Sequence, residues 1–176
     1  YVFSEYAQKY LGVSDDNLFL LINGTSGQIR QKMELLSQII AEHEKRNESS
    51  EVIFYYAGHG LPDVVSKVPF LIPVDIAPDN LELAIKMSEV YDEYNRYLKN
   101  KLIVFLDACF TGDSRAVDLI ASRGVQVKPK LVETSGNVVI FSASSEVEAA
   151  LSFDQQGHGM FTYFVLKKMQ LSPRGI

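Results

Sequence analysis

The stretch VIFYYAGHG, from Val52 to Gly60, decides the fold. It opens with five apolar residues that do not alternate with polar ones, and it ends in a histidine between two glycines. A strand that is covered on both faces, as in a parallel sheet, typically has this composition. The stretch LIVFLDACFTG, from Leu102 to Gly112, repeats the arrangement with Cys109 after its apolar run. We therefore expect two neighbouring buried strands.

Three more apolar runs are predicted strands: Leu18–Ile22, Phe70–Ile72 and Val138–Phe141. Segments with helical spacing alternate with the runs, and the first of them begins with the Thr25–Gln28 capping-box pattern. Two others are centred on Tyr91 and Phe164, the latter starting near Gly159. This alternation predicts one α/β domain over residues 1–176, with three layers and a mostly parallel sheet covered by helices on both faces.

Composition excludes several classes of protein. The chain has 176 residues, 47% hydrophobic and 22% charged, as expected of an ordinary globular domain. A net charge of −5 argues against a nucleic-acid partner, since phosphate binding needs clustered Lys and Arg. No apolar run approaches the ~20 residues that span a bilayer, so no membrane partner is expected. Cys109 is the single cysteine, which excludes an internal disulfide. The cellular location stays unassigned.

His59 and Cys109 form the predicted catalytic pair. If their strands are parallel neighbours, both residues emerge at the carboxyl edge of the sheet, where open α/β sheets carry their sites. An isolated thiol is mostly protonated at neutral pH, and a nearby imidazole can remove its proton and later return it to a leaving amine. The backbone amides of Gly58, Gly60 and Cys109 are candidate oxyanion donors. Considered alone, Cys109 is also consistent with a small hydrophobic residue buried at a strand end. Only its predicted position beside His59 favours a catalytic role.

Together these motifs resemble those of caspase-like cysteine peptidases, with the bacterial caspase-like and metacaspase branch the most similar. The resemblance rests on Tyr55–Gly60, Asp107–Gly112, Phe70–Asp75, Phe141–Ser145 and Gly157–Tyr163. The 50-residue separation of His59 and Cys109 suits this family. The resemblance implies a caspase-like sheet, Cys109 as nucleophile and His59 as base. It also implies a thioester acyl-enzyme that water hydrolyses, with a protein or peptide as substrate.

The resemblance also implies a pocket for the residue before the scissile bond. Asp107 would line it and attract Arg or Lys by ion pairing, while Ser142 and Ala143 would form a wall. Alternatively, Asp107 is a strand-end acid that accepts local backbone amides. Four acids on nearby loops are weaker pocket candidates: Asp75, Glu146, Glu148 and Asp154.

The chain departs from the family pattern in three ways. Asp107 replaces the glutamine of caspases proper, which argues against cleavage after aspartate. Phe110 replaces the histidine usual in metacaspases, so calcium dependence cannot be inferred, and no metal or cofactor is assigned. The family's first strand should precede Tyr6–Leu11, and it is missing here. We expect a second polypeptide piece to supply that strand, because its omission leaves a ladder edge open. The true N-terminus and any signal are then expected outside this chain.

Residues 113–136 are predicted to be a processing and activation loop. The segment follows the Cys109 strand and carries four basic residues, at which an enzyme that cuts after Arg or Lys could cleave itself: Arg115, Arg123, Lys128 and Lys130. Long loops in compact domains are usually functional or mobile. A solvated loop without such a role is the alternative.

Two other functions compete with the peptidase hypothesis. Cys109 and Arg115 satisfy the C-x5-R pattern of a phosphatase phosphate loop. Asp107 and Asp113 flank that position, however, and would repel a phosphate dianion. The chain could also be a catalytically silent interaction module. Retention of both Cys109 and His59 argues against a silent module.

Overall fold

The computed structural model describes residues 1–63, 65–97, 101–110, 137–143, 152–153 and 158–171. Within these residues, five strands form one sheet: β1 (Glu51–Pro62), β2 (Pro69–Ile72), β3 (Ile85–Lys86), β4 (Lys101–Cys109) and β5 (Val138–Ser142). Their order in the sheet is β3-β2-β1-β4-β5. Two short strands, β6 (Ser152–Phe153) and β7 (His158–Gly159), pair with each other in a separate ladder.

The two long ladders of the sheet are parallel. Strand β1 pairs with β4 from Glu51 opposite Lys101 to His59 opposite Cys109. Strand β4 pairs with β5 in the same sense, while β2 runs antiparallel to β1 and to β3. The apolar runs that start β1 and β4 are therefore the central parallel strands, as predicted. Strand β1 extends past Tyr56 to Pro62 because it gains β2 as a partner from His59 onward.

The α-helices within the described residues are α1 (Val2–Leu11), α2 (Ser26–Lys45), α3 (Met87–Asn95) and α4 (Met160–Leu171). Helix α2 begins with the predicted capping box, in which the Thr25 side chain accepts from the Gln28 amide and the Gln28 side chain accepts from the Thr25 amide. Helix α4 begins directly after Gly159, where the sequence places the last helix.

Two hydrophobic clusters cover the two faces of the sheet. On one face α2 and α3 bury Met33, Ile40 and Tyr91 against β4 residues such as Val104. On the other face α1 and α4 pack around Phe105 of β4, with Phe3, Ala7, Leu166 and Met169. The three-layer α/β architecture with helices on both faces is thus confirmed.

The predicted strand at Leu18–Ile22 is wrong. The segment has no strand hydrogen bonding, and Leu20 and Ile22 are 43% and 65% exposed. A strand needs a neighbour to satisfy its backbone groups, and none of the five strands of the described sheet lies beside this run.

Among the described residues, no strand pairs with one side of β1 over most of its length. Along Glu51–Gly58 the described residues pair with β1 only through β4, since the β2 ladder starts at His59. The expectation of a further strand from another polypeptide piece stays a prediction. The predicted processing segment, 113–136, lies outside the described residues. Among the helices that are described, none is long and apolar enough to cross a membrane.

Substitution of Phe3 by alanine should strongly destabilise the protein. The ring is 5% exposed and stacks on Tyr55 of β1, with 4.0 Å between ring centroids. Loss of a buried phenyl ring costs about 3–5 kcal/mol. Urea unfolding followed by circular dichroism measures the change, and Phe164→Ala is the control because that ring is 58% exposed. Equal unfolding midpoints for the two variants would contradict the described packing.

Candidate active site

His59 and Cys109 occupy the same register position on neighbouring strands. They are Cα partners at the last described pair of the parallel β1–β4 ladder. Adjacent strands lie about 5 Å apart, so the two backbones are close enough for an imidazole to reach a thiol. The His59 residue is exposed to solvent. The structure therefore brings the two predicted catalytic residues together at one edge of the sheet.

The predicted pocket residues lie at the same edge. Asp107 precedes Cys109 by two residues in β4, and Ala57 of β1 is its register partner. Ser142 ends β5 opposite Leu106, and the Ala143 amide donates to the Leu106 carbonyl at 2.8 Å. Asp107, Ser142 and Ala143 are thus neighbours at the carboxyl ends of β4 and β5.

Asp107 is held by the first turn of α4. The Thr162 hydroxyl donates to Asp107 Oδ2 at 2.5 Å, and the Thr162 amide approaches the same oxygen at 3.4 Å. The first amides of a helix have no partner within the helix, and a carboxylate there also interacts favourably with the helix dipole. Asp107 therefore caps α4 from a neighbouring strand, through a residue 55 positions away in sequence.

Tyr55 extends this contact to β1. Its hydroxyl lies 2.8 Å from Thr162 Oγ1, and because that oxygen donates its own proton to Asp107, Tyr55 is the donor. Burial raises the pKa of Tyr55, and the nearby negative charge of Asp107 adds to the rise. The phenol consequently stays protonated at neutral pH. The resulting chain of hydrogen bonds joins β1, α4 and β4 behind the candidate site.

Comparison with known families identifies the family to which the chain belongs. The family model described as the caspase domain matches residues 17–173. The chain belongs to the caspase family. It is therefore a caspase-like cysteine peptidase domain, as its motifs indicate. No curated protein matches the chain at a significant level.

In this caspase domain, the predicted oxyanion residue Gly60 follows His59 and is buried. The ring of Phe110 covers it so closely that a Cβ at Gly60 would lie 2.5 Å from a ring carbon. Gly60 is thus required for packing of the residue that follows Cys109, independently of any contact with substrate.

Other predicted residues of the caspase domain lie elsewhere. Asp75 accepts from the Ser26 amide at 2.8 Å and from its hydroxyl at 3.2 Å, so it caps α2. The remaining weaker pocket candidates and the processing candidates lie outside the described residues: Glu146, Glu148, Asp154, Arg115, Arg123, Lys128 and Lys130. Among the residues that are described, no group of three or more His, Cys, Asp or Glu could hold a metal ion.

Sequence reasoning missed Thr162 and Tyr55. Both lie in segments that the family resemblance covers, but Thr162 reads only as part of a helix and Tyr55 as part of an apolar run. The available signal was a hydroxyl in the first turn of a helix, a position that favours capping contacts. Nothing in the sequence indicates that its partner is Asp107.

Substitution of Gly159 by alanine should disturb the Asp107 contact. A Cβ at this position would overlap the Asp107 carboxylate at less than van der Waals separation. Such overpacking costs about 1–3 kcal/mol, so the melting temperature should fall. Gly27→Ala is the matched control, because nothing lies within 4 Å of its added Cβ and alanine favours the helix by up to about 1 kcal/mol. A Gly159→Ala protein as stable as Gly27→Ala would contradict the described contact.

Proposed function

We propose that this caspase domain is a cysteine endopeptidase, with Cys109 as its nucleophile and His59 as its general base. The observation that supports it is the register pair of His59 and Cys109, in a chain of the caspase family. The substrate is a protein or peptide segment that reaches the exposed carboxyl edge of the sheet.

The chemistry proceeds in two steps. His59 takes the thiol proton, and the Cys109 sulfur attacks the carbonyl carbon of the scissile bond. The amides of Gly60 and Cys109 are the proposed donors to the oxyanion. The C–N bond then breaks as the His59 imidazolium gives its proton to the leaving amine, which leaves a thioester. Water, deprotonated by His59, attacks the thioester and releases the carboxylic acid and the free thiol.

Asp107 is the proposed acid of a pocket for Arg or Lys, with Ser142 and Ala143 as its wall. The hydrogen bonds from Thr162 both end on Oδ2 of Asp107. Within the described residues, Oδ1 accepts no hydrogen bond, and the side chain is only half-buried. One carboxylate oxygen can therefore cap α4 while the other accepts from a substrate guanidinium or ammonium group.

Cys109→Ala should abolish hydrolysis of an amide linked through arginine, and His59→Ala should lower its rate by about 10²–10⁴-fold, the usual contribution of a general base. Release of a fluorescent amine measures both. A phosphotyrosine ester is the comparison substrate. Wild-type hydrolysis of the ester without the amide would instead support the C-x5-R phosphatase, and turnover of neither would support an interaction module.

Self-processing within 113–136 belongs to the same proposal. Mass spectrometry of the chain ends should find cuts after Arg115, Arg123, Lys128 or Lys130 in the wild type. The same cuts should be absent from Cys109→Ala. Cuts that persist in the variant would show that another protease makes them.

The two roles of Asp107 separate in a set of three variants. Asp107→Asn keeps an acceptor for Thr162 but removes the charge, so preference for arginine over glutamine before the cut should fall about ten- to hundredfold. Thr162→Val keeps the charge and loses the bond, so stability should fall by about 1–3 kcal/mol while the preference remains. Asp107→Ala should show both losses. Kinetics on matched peptides and thermal unfolding provide the two measurements. If Asp107→Asn keeps the preference for arginine over glutamine, Asp107 acts only as a helix cap and not as the acid of the pocket.

A further inference from the structure

Tyr56 makes contacts at the candidate site that the peptidase chemistry does not use. Its hydroxyl lies 2.9 Å from the carbonyl oxygen of His59 and 3.0 Å from the carbonyl oxygen of Ile72. The phenol has one proton to donate, so the two carbonyls share it. Tyr56 thereby bridges the His59–Ile72 pair, which is the first pair of the β1–β2 ladder.

His59 lies where β1 changes partners. On one side it is the last described residue opposite β4, with Cys109 as its partner, and on the other side it is the first residue opposite β2. The residues before it pair with β4, and those after it pair with β2. Pairing with both β4 and β2 therefore fixes the backbone at His59. The Tyr56 hydroxyl adds a contact between this backbone and β2.

Gly58 allows the phenol to reach this point. A Cβ on Gly58 would lie 2.8 Å from the Tyr56 hydroxyl and 3.0 Å from the adjacent ring carbon. The ring thus occupies space that any larger residue at position 58 would take. This contact explains on structural grounds why residue 58 is a glycine, independently of any need for substrate access.

The phenol stays a donor over the whole range in which a cysteine peptidase works. Burial raises the pKa of Tyr56 to about 12. Below that pH the hydroxyl keeps its proton and can donate it to the two carbonyls.

We propose that Tyr56 is a positioning residue that holds His59 in register with Cys109 by bonding the His59 and Ile72 carbonyls. The inference rests on the proposed peptidase function. Tyr56 touches neither substrate nor the reacting atoms, and it acts through the backbone of the base. Its loss should leave substrate binding intact and weaken the proton transfer between thiol and imidazole.

The test compares Tyr56→Phe with Tyr97→Phe. Tyr97 is a matched control, since its half-buried hydroxyl donates to the Ser37 carbonyl at 3.1 Å, between α2 and the segment after α3. Tyr56→Phe should lower kcat about tenfold with KM unchanged, the effect of one lost hydrogen bond expressed in the transition state. Tyr97→Phe should change neither kcat nor KM, even if the free energy of unfolding falls equally in the two variants.

Thiol reactivity gives a readout that does not depend on turnover. Because Cys109 is the single cysteine, the pH dependence of its alkylation by iodoacetamide reports one thiol. In Tyr56→Phe the midpoint should move from the wild-type value toward that of His59→Ala, and in Tyr97→Phe it should not move. Gly58→Ala is the second variant, since its methyl group displaces the phenol without removing it, and it should shift the midpoint in the same direction.

The outcomes separate the two proposals. If the wild type lacks amidase activity but Tyr56→Phe and Gly58→Ala show the predicted alkylation shifts, the peptidase proposal is overturned. The role of Tyr56 in positioning His59 beside Cys109 then stands. Alkylation profiles of Tyr56→Phe and Gly58→Ala that coincide with wild type, while His59→Ala differs, would overturn the role of Tyr56 and leave the peptidase in place.

Discussion

The parallel ladder between β1 and β4 is the constraint on which the rest of the site depends. It runs without interruption from Glu51 opposite Lys101 to His59 opposite Cys109. A slip of one residue would turn every side chain of a strand to the other face of the sheet. Val104 is buried under α2 and α3, whereas Phe105 is buried under α1 and α4, so both faces resist such a slip. Packing on two sides therefore determines which residue of β1 meets Cys109.

The site also depends on contacts that reach it from outside the ladder. Thr162 of α4 bonds Asp107, and Tyr56 bonds the carbonyls at the point where β1 passes from β4 to β2. The bonds from Thr162 to Asp107 and from Tyr56 to Ile72 satisfy polar groups that are partly buried, where a missing partner would be costly. The carboxyl edge of the sheet is thus supported on both sides of His59 and Cys109.

The sequence predicts most of this frame because hydrophobic burial leaves a strong pattern. The apolar runs beginning at Val52 and Leu102 and the Thr25 cap all appear where expected. Leu18–Ile22 has the same apolar character but no strand beside it in the described sheet, and a pattern cannot report the presence of a neighbour. The bond between Thr162 and Asp107 spans 55 residues, and polar contacts of that separation leave no periodic signal. Tyr56 is also difficult to single out in the sequence, because its ring fits the apolar run and only its hydroxyl makes the polar contacts.

Tyr55 has a consequence for the order in which the protein can be completed during synthesis. Its ring stacks on Phe3 in the first helix, and its hydroxyl bonds Thr162 in the last described helix, 107 positions further along the chain. A nascent chain made only as far as β5 has the strands that carry His59 and Cys109 but lacks the hydroxyl that caps Asp107. Contacts between such distant segments form late, since the intervening chain must first be closed into a loop. Asp107, two residues before Cys109, therefore acquires its final geometry only after α4 has left the ribosome and docked.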